Sequence, residues 1–198
     1  MKILLISDLH GQDDALKYLD KFLSKEKVEL VLAAGDITDK NEGAVRYLHS
    51  LLDIVVNEHE VEFLGLHGNN DHPDVLELLD QMGRSLHMRT IDVGDLKVSG
   101  IGGWADLSEQ VLEDPSFTTE GTLFVTHVPP KKLEGAKYYN LPLAHISGHI
   151  HVSKPYKRMM GGVPHIQLGA LKDGWLSALE YPSMRLSHKN MSEREVKK

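Results

Sequence analysis

Short apolar runs alternate with amphipathic segments through the first half of the chain. The apolar runs have the length of buried strands and lie at residues 3–6, 30–33 and 63–66. Between and after them, apolar residues recur at helical spacing at residues 16–23, 45–52 and 75–79. This βαβαβα pattern predicts a parallel sheet, and open sheets of this kind bind ligands at the carboxyl ends of their strands.

The second half of the chain has a different pattern, made of short β-like runs. These runs lie at residues 91–93, 97–101, 123–126, 145–147, 165–168 and 175–180. A second sheet packed on the first is the simplest arrangement. We therefore predict an α/β fold, a four-layer αββα sandwich in which two mixed β-sheets are flanked by helices.

One domain accommodates this pattern. The chain has 198 residues, which suits a single domain, and we expect it to span residues 1–186. Residues 187–198 are charged and lack apolar periodicity, so we expect a mobile C-terminal tail.

Composition narrows the possible chemistry. Apolar residues make up 41% and charged residues 26% of the chain, as in ordinary globular domains. There is no cysteine, which excludes disulfides, thiolate metal sites and cysteine nucleophiles. Any metal must therefore bind to nitrogen and oxygen atoms. The opening residues do not resemble a signal peptide, and no apolar run approaches the ~20 residues of a membrane span, so we expect a cytoplasmic protein without membrane contact.

Net charge limits the partners. A formal charge of −7 argues against broad attachment to nucleic acid, which needs clustered Lys and Arg. Aromatic residues total only 6%, so the sequence offers few stacking platforms for single strands. Small phosphorylated molecules remain compatible with this charge.

Five polar clusters follow strand candidates in order: SDLH, AGDITD, HGNND, VTHVPP and SGHIH. Asp8 and His10 are two residues apart on an extended chain, so both side chains can project to the same side and reach one metal. His149 and His151 repeat this spacing. The two pairs are the first candidate ligands.

Three further residues complete a candidate site. Asp36 has two carboxylate oxygens and can bridge two cations, so we interpret it as a bridging ligand. Asn69 offers a carbonyl oxygen and His127 an imidazole. Both are expected to bind the second cation.

This ordered series resembles the binuclear metallophosphoesterases, also called calcineurin-like phosphoesterases. The family pattern is DxH, GD, GNH followed by Asp or Glu, a histidine, and GHxH. Here the corresponding residues are Asp8 with His10, Asp36, Asn69 to Asp71, His127, and His149 with His151. The short chain looks most like the compact bacterial and archaeal phosphodiesterases.

The resemblance implies two metal positions that share Asp36. Asp8, His10, Asp36 and His151 would bind one ion, and Asp36, Asn69, His127 and His149 the other. Two divalent cations would activate a shared hydroxide for in-line attack on phosphorus. Manganese is the favoured ion, and iron, zinc, nickel and cobalt also suit these ligands. The expected partner is a small phosphate ester, and the oligomeric state is left open between a monomer and a homodimer.

The resemblance leads to a phosphodiesterase as the first hypothesis. A phosphomonoesterase using the same site is an alternative. Another is a non-catalytic scaffold for protein interactions, like the metallophosphoesterase-like retromer subunit. We expect catalytic roles for Asp36, Asn69, Asp71 and His127, with Asp71 either orienting a ligand such as His10 or serving as a turn residue.

One residue departs from the family pattern. Asn70 replaces the histidine that is often assigned to protonate the leaving group, and an amide cannot serve as that acid. We therefore expect a preference for aryl or otherwise activated esters. His72 is an alternative proton donor or a structural residue, and Trp104 is either a pocket wall or a packing residue.

Overall fold

The computed structural model describes residues 1–103, 118–129 and 141–193. Eleven strands are described: β1 Lys2–Ile6, β2 Leu30–Ala34, β3 Glu62–Leu66, β4 Arg89–Val93, β5 Leu96–Ile101, β6 Thr122–Thr126, β7 Ala144–Ser147, β8 Tyr156–Met160, β9 Val163–Gln167, β10 Trp175–Glu180 and β11 Arg185–Asn190. The described α-helices are α1 Asp13–Leu23, α2 Ala44–Leu52 and α3 Pro73–Gln81. A π-helical segment, Asp53–Glu58, continues α2, and a 3₁₀ turn spans Leu171–Asp173.

The first sheet has the strand order β11-β10-β1-β2-β3. Strands β1, β2 and β3 are parallel, as the alternating βα pattern predicts, while β10 and β11 add antiparallel strands at one edge. The second sheet has the order β4-β5-β6-β7-β9-β8, with a parallel centre and an antiparallel strand at each edge. Both sheets are therefore mixed.

Two apolar layers hold the sheets in place. Along β1, Leu4 and Ile6 face helices α1 to α3, while Ile3 and Leu5 face the second sheet. This alternation follows from the two-residue period of a strand. The predicted fold class, two mixed sheets flanked by helices, is confirmed.

The structure differs from the sequence predictions at two edge strands. Neither β8 nor β11 was predicted, because both are largely exposed and carry several charged residues. Residues 187–190 pair with β10 instead of beginning a tail at residue 187. Leu186, His188 and Asn190 alternate with more exposed neighbours along β11, which is the period of a strand with one covered face. Residues 194–198 lie outside the described part of the chain.

Parallel strands bring their carboxyl ends to one edge of a sheet. The loops after β1, β2 and β3 leave from the same edge of the first sheet, and those after β6 and β7 do so in the second. These are the loops that contain the predicted ligands. Among the described helices, none combines the length and apolar character that crossing a membrane requires.

Candidate metal centre

Five loops meet where the two sheets come together, and they carry all seven predicted ligands. Asp8 and His10 follow β1, Asp36 follows β2 and Asn69 follows β3. His127 directly follows β6, and His149 and His151 follow β7. Six of these side chains form two adjoining groups, and the seventh, Asn69, contacts His127 of the second group.

The first group consists of Asp8, His10 and His151, whose donor atoms all lie within 4.8 Å of one another. The Nε2 atom of His151 is 3.1 Å from Oδ1 of Asp8 and 3.1 Å from Nε2 of His10. Asp8 is fully buried, whereas the two imidazoles are partly accessible. One carboxylate and two imidazoles thus converge on one point.

The second group consists of Asp36, His127 and His149, again within 4.8 Å. Nε2 of His127 is 3.3 Å from Oδ2 of Asp36 and 3.0 Å from Oδ1 of Asn69. The same oxygen of Asp36 is 3.7 Å from Nε2 of His10 in the first group. Oδ2 of Asp36 therefore lies between the two groups, as a bridging ligand would require.

Hydrogen bonds at Nδ1 fix the orientation of two of the imidazoles. Nδ1 of His10 is 2.8 Å from Oδ1 of Asp39, and Nδ1 of His127 is 2.8 Å from the carbonyl oxygen of Ala34. When Nδ1–H donates to such an oxygen, the lone pair lies on Nε2, which is the arrangement usual for metal-binding histidines. In both residues Nε2 faces the candidate site.

Asp39 makes the contact with His10 that the sequence pattern suggested for Asp71. The carboxylate of Asp71 instead accepts the backbone N–H groups of Thr38 and Gly68, each at 2.6 Å, and the hydroxyl of Thr38 at 2.9 Å. Burial raises the pKa of Asp71 in spite of these hydrogen bonds. Two roles were proposed for Asp71, orienting a ligand or serving as a structural residue of the turn. Its contacts fit the structural role, because they join the loops after β2 and β3.

Asn70 has a contact that sequence reasoning missed. Its backbone N–H donates to Oδ1 of Asp36 and its side-chain amide donates to Oδ2, each at 2.8 Å. The residue that replaces the family histidine thus orients the central carboxylate. No local sequence signal indicates this, because the two residues are 34 positions apart.

The site is built on left-handed backbone. Eight non-glycine residues of the described segments have positive φ, and five of them are predicted ligands: Asp8, His10, Asp36, His149 and His151. Such conformations cost roughly 1–3 kcal/mol each and tend to persist where the surrounding structure holds them for function. The concentration of strain at these five residues supports a functional site.

Charge within the second group is strongly coupled. Burial opposes ionisation of Asp36, but the hydrogen bond and charge of His127, with the Asn70 donors, lower the pKa of Asp36 to about 2. Burial likewise opposes protonation of His127, but Asp36 outweighs it and raises the pKa of that imidazole. Burial and the neighbouring His127 lower the pKa of His149. The group therefore holds an ionised carboxylate that attracts positive charge.

The remaining sequence candidates, His72 and Trp104, are not among these grouped side chains. Nδ1 of His72 accepts the N–H of Asp74 and so caps α3, a contact that sequence reasoning did not anticipate. Trp104 lies outside the described residues. A third group, Asp20, Glu58 and His59, joins α1 to the π-helical segment at the surface, with Asp20 and His59 paired at 2.8 Å.

Comparison with known proteins indicates the family of this chain. A family model described as calcineurin-like phosphoesterase matches residues 1–153. A search of curated proteins found no match.

Solved structures share the fold at low sequence identity. Protein TT1561 of Thermus thermophilus aligns with a TM-score of 0.72 and 18% identity over 96% of this chain and 98% of its own. A dimetal phosphatase from Danio rerio gives 0.60 and 14% over 96% and 95%. A structure described as a novel archaeal phosphodiesterase gives 0.58 and 16% over 96% and 99%.

Proposed function

Because this chain belongs to the calcineurin-like phosphoesterase family, we propose that it is a metal-dependent phosphodiesterase with two divalent cations at the site described above. One cation would bind to Asp8, His10, Asp36 and His151. The other would bind to Asp36, Asn69, His127 and His149. Manganese is the favoured ion for these nitrogen and oxygen donors, and iron, zinc, nickel and cobalt are compatible with them.

One observation carries the proposal. Nδ1 of His127 is directed at the carbonyl of Ala34, so its Nε2 lone pair points at the ionised carboxylate of Asp36, 3.3 Å away. Two acceptors that face each other in a buried site require a positive charge between them. A proton can supply it, as the raised pKa of His127 indicates, and a cation shared with His149 and Asn69 can supply it as well.

The chain's own residues would hold this donor set ready for the cations. Asp39 and the Ala34 carbonyl orient two imidazoles, and Asn70 fixes both oxygens of Asp36. Asp71 and Thr38 keep the loops after β2 and β3 in register. When bound, the cations would supply charge neutralisation for a phosphoryl group and activation of a water nucleophile.

A diester with an activated leaving group is the favoured substrate, and the two parts of this proposal have separate grounds. The chain aligns over nearly its full length with a protein described as an archaeal phosphodiesterase. This alignment supports a diester; the activated leaving group follows from Asn70, an amide that already donates to Asp36, so that this position supplies no acid for a poor leaving group. Activated diesters such as aryl diesters are therefore the expected substrates.

The test combines metal uptake with a substrate panel. The purified chain is loaded with manganese, its bound metal is measured, and nitrophenyl phosphate, bis-nitrophenyl phosphate, cyclic nucleotides and phosphopeptides are compared across several metals. We expect two equivalents of metal, fastest cleavage of the bis-nitrophenyl ester, and loss of activity on chelation. A faster monoester would favour the phosphomonoesterase alternative.

A pair of variants connects activity to the site. Asp36→Asn should lower kcat by more than about 100-fold, since loss of an orienting partner alone costs about 10–100-fold in metal sites. Asp92→Asn, which changes an exposed carboxylate on β4, serves as the matched control and should behave as wild type. Absence of both metal uptake and hydrolysis in the wild type would refute the enzyme proposal and favour the interaction scaffold.

A further inference from the structure

Gln167 is a fully buried polar residue at the end of β9, beyond the segment matched by the family model. Its side-chain Nε2 donates to the carbonyl oxygen of Gly148 at 2.7 Å. Weaker contacts reach the carbonyl oxygens of Leu168 at 3.1 Å and Ser147 at 3.3 Å. The strongest of these contacts joins Gln167 to the residue immediately before His149.

The peptide group between Gly148 and His149 is held from both sides. Its carbonyl accepts from Gln167, and its N–H donates to the carboxylate of Asp8 at 3.0 Å. In a trans peptide the C=O and N–H point in opposite directions within one plane. Fixing both of them determines the orientation of the plane from which the His149 side chain leaves.

This loop needs external support. His149 and His151 both have left-handed backbone, with φ values of 72° and 48°. A Cβ atom at Gly148 would overlap Oγ of Ser7, so the loop also lies tightly against the exit of strand β1. Strained residues of this kind keep their conformation only where neighbouring groups determine it.

The orientation of the Gln167 amide is itself determined. The hydroxyl of Ser147 donates to Oε1 of Gln167 at 3.2 Å, and Nε2 of His165 contacts the same hydroxyl at 2.8 Å. All three side chains are fully buried. The amide nitrogen is consequently directed at the Gly148 carbonyl and cannot exchange places with its oxygen without losing these contacts.

We infer that Gln167 is a positioning residue for the metal centre, acting through the Gly148–His149 peptide. This inference rests on the proposed function, because it concerns the affinity of the same cations. Gln167 does not approach the reacting atoms. Its role is to hold the loop in the one conformation that places His149 and His151 opposite Asp36 and Asp8.

The experiment compares two variants that each lose one buried hydrogen-bonding group of the second sheet. Gln167→Met keeps the side-chain length but removes the amide. Ser99→Ala removes the buried hydroxyl that contacts Thr122 at 2.7 Å, away from the ligand loops. Manganese affinity is measured by calorimetric titration, and the visible spectrum of the cobalt-loaded protein reports on ligand geometry.

We expect Gln167→Met to bind manganese about 10–100-fold more weakly than wild type and to change the cobalt spectrum. Its kcat should fall while KM for a diester changes little. Ser99→Ala should lower the unfolding temperature but keep wild-type manganese affinity. Wild-type affinity and spectrum in Gln167→Met would overturn the inference, whatever its stability.

If Gln167→Met does not fold, a second variant tests the positioning role of Gln167. Ser147→Ala leaves the amide in place but frees its orientation, and it should weaken manganese binding by a smaller factor in the same direction. Unchanged affinity in that variant would overturn the inference. The wild-type titration separates the two proposals: if wild type binds no metal, the proposed function fails first, and equal binding by wild type and variants refutes only the role of Gln167.

Discussion

At the candidate metal centre, each of three predicted ligands is fixed in orientation by a hydrogen-bonding partner that is not itself a predicted ligand. His10 is held by Asp39, His127 by the Ala34 carbonyl, and Asp36 by Asn70. An imidazole that is free to rotate loses affinity for a cation, because its ring must be ordered when the ion binds. The supporting partner therefore matters although it makes no direct contact with the candidate ions.

Asp39 provides a test of this pairing. Asp39→Ala should weaken metal binding at the group of Asp8, His10 and His151 by about 10–100-fold, because Nδ1 of His10 loses its acceptor. Calorimetric titration with manganese measures the change. Binding at the group that contains His127 should remain as in wild type.

The side chain of Asp39 is 46% exposed, so the substitution should not impair folding. Asp39→Asn retains a carbonyl oxygen that can accept from His10, and it should recover part of the lost affinity. Two sites of wild-type affinity in Asp39→Ala would show that this contact is dispensable.

Strand ends and their turns determine how closely the loops can approach. Gly35 directly follows β2 and has a φ of +87°. A Cβ atom there would lie 2.7 Å from Nδ1 of His127 and 2.9 Å from the backbone of Gly68. Glycine is thus required at this turn both for its backbone conformation and for the space. The loops after β2, β3 and β6 can meet only because this side chain is absent.

Gly35→Ala should destabilise the fold and displace His127. We expect a loss of about 2–4 kcal/mol in the free energy of unfolding, from left-handed backbone and overpacking together. Denaturation in urea measures this loss, and phosphodiester hydrolysis should fall with it.

Gly83→Ala is the matched control. Gly83 also has a positive φ, of +67°, but a Cβ atom there would meet nothing within 4 Å. It should lose only about 1 kcal/mol and keep full activity. Equal losses in the two variants would contradict the crowding argument.

Across the whole molecule, buried histidines make stability depend on pH. Burial, with the charge of Arg158, lowers the pKa of His165 to about 4, and burial with the charges of His87 and His127 lowers that of His67 to about 4. Burial also lowers the pKa of His145 well below its usual value. These imidazoles remain neutral in the folded chain at pH values where the unfolded chain binds protons.

The sign of the effect follows from proton uptake. As pH falls below about 6.5, these three histidines take up protons in the unfolded state but not in the folded state, so their contribution to stability is complete above that pH and is lost toward pH 4. His67 and His165, whose folded pKa values are both about 4, should each cost on the order of 2 kcal/mol between pH 6.5 and 5. The depressed pKa of Asp36 extends the loss below pH 4, where its carboxylate takes up a proton.

Urea unfolding at pH 7.5 and pH 5, with a chelator present, tests this expectation. His165→Gln should lose about 2 kcal/mol less than wild type between these pH values, because one buried imidazole is gone. His49→Gln, which changes an exposed histidine on α2, should lose as much as wild type. An equal loss in His165→Gln would refute the assignment.

The pattern of apolar and polar residues alone was sufficient to predict the fold class, the first three strands and the helices between them. It also placed five polar clusters at the sheet edge where buried strands end, and the seven candidate ligands were chosen within them by side-chain chemistry and by the resemblance to the metallophosphoesterase pattern. Both predictions depend on short-range periodicity, which can be recognised from residues that are close together in the sequence. Edge strands β8 and β11 were missed because both are largely exposed and charged, and the half-covered positions of β11 include the polar residues His188 and Asn190.

Only the tertiary structure decided which residues hold the ligands in place. The contacts of Asp39 with His10, Asn70 with Asp36 and Gln167 with Gly148 connect residues that are 29, 34 and 19 positions apart. Asp8 and His151 are 143 positions apart. Such pairs depend on the order of strands in two sheets and on the direction each loop takes, and neither is encoded in the spacing of residues along the chain.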